Sequence, residues 1–286
     1  MESSIYNDNQ LFIPIVSDYG FKTTFGNETD TLFLRKSLQA IIQSERKITE
    51  IRFDKNAFEA LTIDSRSGIF DLSCTDDAGT KFIVEMQLGY APYFIQRMKF
   101  YALHKFNILI EKGDFDYEGI PKLYTIAFLE KNILSNTNFY TIANLRNEQG
   151  EIIDSQMTFI IIELAKFDKA LVDIQTDLDK LVYTMKTLHK TTEVSEYPSF
   201  WNEEWLKHAI NELDTRKLTP EERASFARRI AANAEAVKAE KKKIEEVKIE
   251  AIKKALKGGK LNLEEIAEYN EVTVEFVQSI QKQIAV

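Results

Sequence analysis

The sequence predicts an α/β fold: a helix, three strands, a second helix and a fourth strand, followed by an added hairpin and a helical C-terminal extension. Three observations carry this prediction. Residues 68–88 read as a strand, a turn rich in Asp and Gly, and a second strand. Residues 123–129, Leu-Tyr-Thr-Ile-Ala-Phe-Leu, are almost all apolar and suit a strand buried on both faces. Helical periodicity brackets these strands at 31–42 and 93–111.

Taken in order, the first helix owes its apolar face to Leu32, Leu34, Leu38, Ile41 and Ile42, and Asp30 or Thr29 stands where a cap is needed. Residues 47–53 alternate like a first strand. On the strand at 81–88, Phe82, Val84, Met86 and Leu88 line one side, and Ile83, Glu85 and Gln87 the other. Glu85 and Gln87 therefore point the same way. Antiparallel pairing through the Asp76-Asp77-Ala78-Gly79 turn brings the carboxylate of Asp71 within several ångströms of Glu85.

Two carboxylates and an amide so gathered form an all-oxygen pocket that suits a hard divalent cation, magnesium above all. The alternative is that Asp71 and Glu85 are ordinary solvated strand residues. Against it stands the apolar character of the strand, where an inward-facing carboxylate needs a metal, a proton or a partner.

The second helix places Arg97 and Tyr101 four residues apart, hence on one face. Residues 139–143 and 157–164 read as strands flanking the Asn147-Glu148-Gln149-Gly150 turn, a hairpin that extends the sheet. Residues 171–189 form an amphipathic helix. Residues 200–212 form another, with Trp201 and Trp205 at i,i+4 spacing as core packing. Thr219-Pro220-Glu221-Glu222 opens a long charged helix that runs to about Lys257 and ends at Gly258-Gly259. Along it Ile230, Val237, Ile244 and Ala251 recur every seven residues, a thin seam suited to a homodimer. The tail reads as two short helices around a turn, a helix-turn-helix or helical hairpin. Its second helix offers Glu275, Gln278 and Gln281 and little positive charge, which favours packing or protein interaction over DNA reading. The expected divisions are a core with hairpin at 1–168, packing helices at 169–215, and the long helix with its hairpin at 216–286.

Composition bounds the function. The chain has 286 residues, 37 basic and 45 acidic, for a formal charge of −8. That balance excludes nonspecific coating of nucleic acid and predicts weak, magnesium-dependent DNA affinity through local patches such as Arg97, Lys99 and Lys105. Cys74 is the single cysteine and can form no internal disulfide. His104, His189 and His208 lack ligand spacing, so zinc is not expected. No signal peptide or membrane span is legible, and the expected location is a bacterial cytoplasm, without a membrane partner.

Four motifs in order resemble the PD-(D/E)xK nuclease superfamily, and within it the recombination-promoting nuclease or putative transposase family. Asp18-Tyr19-Gly20-Phe21-Lys22-Thr23-Thr24-Phe25-Gly26 resembles that family's opening D-x-x-F-K-x-x-F-G. Phe70-Asp71 follows, then Val84-Glu85-Met86-Gln87, similar to its "vEMQ" signature, then Arg97-Met98-Lys99-Phe100-Tyr101, similar to its R-x-x-Y-Y. The resemblance spans most of the chain.

It implies a restriction-endonuclease-like core and a metal-dependent endonuclease that hydrolyses DNA, with ties to recombination or mobile elements. By the same resemblance, Asp71, Glu85 and the carbonyl of Met86 hold Mg2+, with Mn2+ able to substitute. Gln87 stands where most of the superfamily has lysine and orients the attacking water, while Arg97 steadies the phosphate. Glutamine is neutral, so more of the electrostatic work falls on the metal and Arg97. Tyr101 and Lys22 are candidates for substrate contact, and Asp18 either caps the short helix at 21–25 or acts as an accessory acid. A second reading is a nuclease-derived DNA- or protein-binding scaffold with little turnover, favoured by Gln87 and the acidic surface.

Overall fold

The computed structural model describes residues 11–54, 72–87, 93–108, 119–259, 261–270 and 272–284. The chain divides into two compact units, Met1–Arg223 and Ala224–Val286.

The first unit is built on a six-stranded mixed sheet. Its strands are β1 (Ile51–Phe53), β2 (Leu72–Asp76), β3 (Lys81–Gln87), β4 (Leu123–Leu129), β5 (Tyr140–Arg146) and β6 (Ile152–Glu163), laid side by side in the order β1-β2-β3-β4-β6-β5. β3, β4 and β6 run parallel, and the remaining neighbours are antiparallel. The β2–β3 turn forms as its residues require. The Asp76 carboxylate accepts the N–H groups of Ala78 and Thr80 at 2.9 and 2.8 Å, and Gly79 takes a φ of +80° that a Cβ would strain. Asn147 and Gly150 repeat the device between β5 and β6.

A parallel β3–β4 pair needs a crossover, and α3 (Phe94–Ile108) lies on that connection and covers one face of the sheet. Phe94 and Met98 pack on Ala127, Leu129 and Ile161, while Tyr101 and Ala102 pack on Ile83 and Leu123. The other face receives α1 (Asp18–Thr24) and α2 (Leu32–Ile42): Phe25 meets Phe128 at 5.6 Å between ring centroids, and the Tyr140 hydroxyl donates to the carbonyl of Ile41 at 2.6 Å. Outside α2 lie α4 (Asp177–Thr187) and α5 (Glu204–Glu212). Both tryptophans are buried there, Trp201 donating to Thr184 Oγ1 at 2.9 Å and Trp205 stacked on Phe33.

Several elements differ from expectation: the helix expected from 200 begins at Glu204 after a 3-10 turn at Ser199–Asn202, and in the next two, side chains take over backbone bonds. Only Ile51–Phe53 of the strand expected at 47–53 is extended, since Ile48 N–H donates to Gln39 Oε1 and Thr49 N–H to Asp77 Oδ1. The helix expected from 171 begins at Asp177, after a short 3-10 turn at Leu171–Asp173. There Thr176 and Asp179 form a reciprocal capping box, and Lys169 neutralises Asp179 at 2.6 Å. The hairpin is longer than read, β6 starting at Ile152.

α6 (Pro220–Gly258) begins with a capping pair between Thr219 and Glu222. In the second unit its last turns join α7 (Leu263–Tyr269) and α8 (Val274–Ile284) around Ile252, Ile266, Ala267, Val277 and Ile280. Of the heptad seam, the side chains of Ile230, Val237 and Ile244 lie outside the described set, and Ala251 is exposed. Among the described residues no helix is long and apolar enough to cross a membrane.

Candidate active site

Strand alternation decides which side chains of β3 meet α3. Ile83 packs on Tyr101 and Ala102, so Lys81, Ile83, Glu85 and Gln87 all face α3. The antiparallel register puts Ser73 opposite Ile83 and Thr75 opposite Lys81, which brings both hydroxyls to the same face. α3 runs antiparallel to β3: Arg97 reaches Gln87 at the end of the strand, Tyr101 packs at Ile83, and Lys105 reaches its start.

Glu85 is only 4% exposed, beneath this helix. Arg97 Nη2 donates to Gln87 Oε1 at 2.8 Å, and the guanidinium carbon lies 5.3 Å from the centre of the Phe94 ring. Because a guanidinium can only donate, the contact settles the amide's orientation: the carbonyl oxygen of Gln87 faces Arg97. A full positive charge is thereby held against the amide of Gln87. Tyr101 is buried beside it, and burial raises the pKa of its hydroxyl. The Glu85 charge pushes the same way and Arg97 opposes. The phenol is therefore a neutral donor at physiological pH.

Glu85, Gln87, Arg97 and Tyr101 thus come together as their spacing predicts. Met86 lies between Glu85 and Gln87, paired in register with Phe128 of β4. Asp71, the expected second acid, lies outside the described residues; the residue after it, Leu72, pairs with Val84, next to Glu85. Among the described residues no group of three or more His, Cys, Asp or Glu side chains is arranged to hold a metal. The described part of the donor set is a buried carboxylate, a hard oxygen ligand that fits a hard cation once a second acid joins it.

In the opening motif, α1 is capped by Ser17, whose Oγ accepts from the N–H of Gly20 at 3.0 Å. Asp18 is a first-turn residue paired with Lys22 at 2.9 Å, both half exposed. Phe21 and Phe25 are core residues stacked at 4.7 Å.

One reading needs correction. Lys105 is not part of a surface patch: it is 8% exposed, and its ammonium donates to Asp54 Oδ2 at 2.8 Å. Asp54 also accepts from Thr75 at 2.8 Å and Ser73 at 3.2 Å, with the Lys81 ammonium 3.7 Å away. Burial raises the pKa of this carboxyl, but the Lys105 and Thr75 hydrogen bonds and the two lysine charges more than offset it, leaving it below the ordinary value. One half of this group has a local signal: Lys105 follows Tyr101 by four, on the stripe already marked by Arg97; its meeting with Asp54, 51 positions away, has none. Lys99, by contrast, is exposed.

No curated protein and no solved structure matches the chain. A family model described as PD-(D/E)XK nuclease family transposase matches residues 15–245, which takes in the opening motif, β3 with Glu85 and Gln87, and the Arg97–Tyr101 stripe of α3. With so much of its length matched, and with Glu85 and Gln87 of β3 meeting Arg97 and Tyr101 of α3 on one sheet face, the chain belongs to the PD-(D/E)XK nuclease family transposases.

Proposed function

We propose that the protein is a divalent-metal-dependent endonuclease that hydrolyses DNA phosphodiester bonds at the C-terminal end of β3. The observation that carries this reading is the Arg97–Gln87 contact beside a buried Glu85. Asp71 and Glu85, with the carbonyl of Met86, would hold Mg2+ or Mn2+. When bound, such a cation supplies Lewis acidity, drawing charge from the phosphoryl group and making a nearby water more acidic.

The chain's own residues do the rest. Gln87, its carbonyl turned to Arg97, orients the attacking water. Arg97 receives a non-bridging phosphate oxygen by charge-assisted donation and so supplies the cation that the superfamily's usual lysine would bring. Tyr101, protonated across the physiological range, keeps a hydroxyl proton to donate. Lys22, half exposed and paired with Asp18 at 2.9 Å, is offered for contact with the DNA backbone.

The test is nicking of supercoiled plasmid with magnesium or manganese, beside Asp71→Ala and Glu85→Ala. Loss in both variants, with folding intact, is the expected result. A parent protein inert across metals and substrates would move the reading to a nuclease-derived binding scaffold, which the net charge of −8 favours. Self-association through α6 belongs to the same proposal, since Val247 is 63% exposed near the seam. Sedimentation should then show mass rising with concentration, and a concentration-independent monomer removes it.

A further inference from the structure

Arg97, Tyr101 and Lys105 form a single stripe along α3, and each meets a different level of the sheet. Alongside these polar contacts, Phe94, Met98, Tyr101 and Ala102 pack on Ile83, Leu123, Ala127 and Leu129. Apolar burial is non-directional and tolerates small slides and rotations of a helix on a sheet. A buried ion pair does not, because separating its members leaves a charge without a partner in a poorly solvated place. Lys105 on Asp54, with Thr75, Ser73 and Lys81 arranged around the same carboxylate, is therefore the directional contact at the end of α3 remote from Glu85. It also ties α3 to the end of β1 and to β2, which the apolar clusters of α3 among the described residues do not include.

We infer that Asp54 and Lys105 are positioning residues for the candidate active site: the pair sets the rotation and axial position of α3, and so holds Arg97 in reach of Gln87. This rests on the site reading proposed above, yet its structural half is measurable without turnover.

The test uses the full chain with isotope-labelled arginine. Arg97 is identified by the signal missing from Arg97→Lys, and Gln87→Leu supplies the signal of an Arg97 that has lost its acceptor. Lys105→Met keeps the aliphatic stem and leaves Asp54 with Lys81 and Thr75. Asp54→Asn with Lys105→Met leaves no charge of the original pair. In both variants the Arg97 signal should move to its position in Gln87→Leu. Single-turnover nicking at saturating DNA should fall about tenfold, with half-saturating DNA changed less than about twofold, because misplacing a contact acts on the bound complex.

A folded variant whose Arg97 signal stays at the parent position overturns the proposal, whatever its melting temperature. Failure of both variants to fold overturns it too, assigning the pair to global stability. If the parent protein does not nick DNA, the site reading fails, and the Arg97 signal alone decides the positioning claim.

Discussion

The seam between β3 and α3 carries a cation at each end, and the two are held differently. Lys105 is matched by the carboxylate of Asp54, which also takes two hydroxyl donors and lies near a second lysine. Arg97 rests on the neutral carbonyl of Gln87 and makes no ion pair among the described residues. A cation against a carboxylate has its field cancelled at short range, whereas one against an amide keeps most of it. The first arrangement fastens a helix. In the function proposed above, the second would leave charge available for an arriving phosphate, and the buried acid beside it, Glu85, would supply an oxygen ligand. Burial of charge alone does not make the distinction. Glu163, at the end of β6, is fully buried too, but its carboxylate accepts the N–H groups of Ile133 and Leu134 and pairs with Lys166, so it anchors a loop.

The contrast breaks most visibly at Arg97. Arg97→Met should slow nicking about a hundredfold, some 2.7 kcal/mol of barrier, with urea unfolding little changed. A rate within about threefold of the parent would show that the Arg97 end is as structural as the other.

Asp54→Asn should act first on stability, removing about 2 kcal/mol near neutral pH, read by urea unfolding, because it strands Lys105 and Lys81 together, with only the smaller, about tenfold loss of nicking that misplacing Arg97 brings. The pH dependence has a definite sign. The folded-state pKa of Asp54 lies below its ordinary value of 3.8, so its stabilisation is complete above that value and is lost as pH falls through the lower folded one. Parent and variant should therefore begin to converge in stability only below about pH 4 and meet below the folded pKa of Asp54. A gap that persists there would mean the carboxylate's charge is not what matters.

The smallest effect belongs to Lys99, exposed on the same helix. Lys99→Ala should leave the nicking rate within about twofold, because an exposed charge is screened by solvent and salt. A larger loss would extend the working charge beyond the seam.

Much of the site was legible before any coordinates. Alternation along 81–87 put Glu85 and Gln87 on one face, and four-residue spacing put Arg97 with Tyr101, since both follow from periods of two and 3.6 residues. The Asp76–Gly79 turn was legible because its geometry is imposed by the Asp carboxylate and by a positive φ at glycine. The sequence places Lys105 at the surface, because its partner lies 51 positions away and lysine is ordinarily exposed. The strand at 47–50 and the helix before Asp177 were over-extended for a related reason. Gln39, Asp77 and Asp179 claim backbone N–H groups that propensity assigns to regular structure.

What the sequence by itself determined, then, is what depends on near neighbours: the elements, their apolar faces, the turns, the caps, and the motif spacing that marks the family. Tertiary structure alone decided which cation meets which acceptor. The rotation of α3 about its axis, and its antiparallel run over β3, set Arg97 on an amide and Lys105 on a carboxylate. No local period encodes that choice, because it is made where a helix packs on a sheet whose strands come from distant parts of the chain.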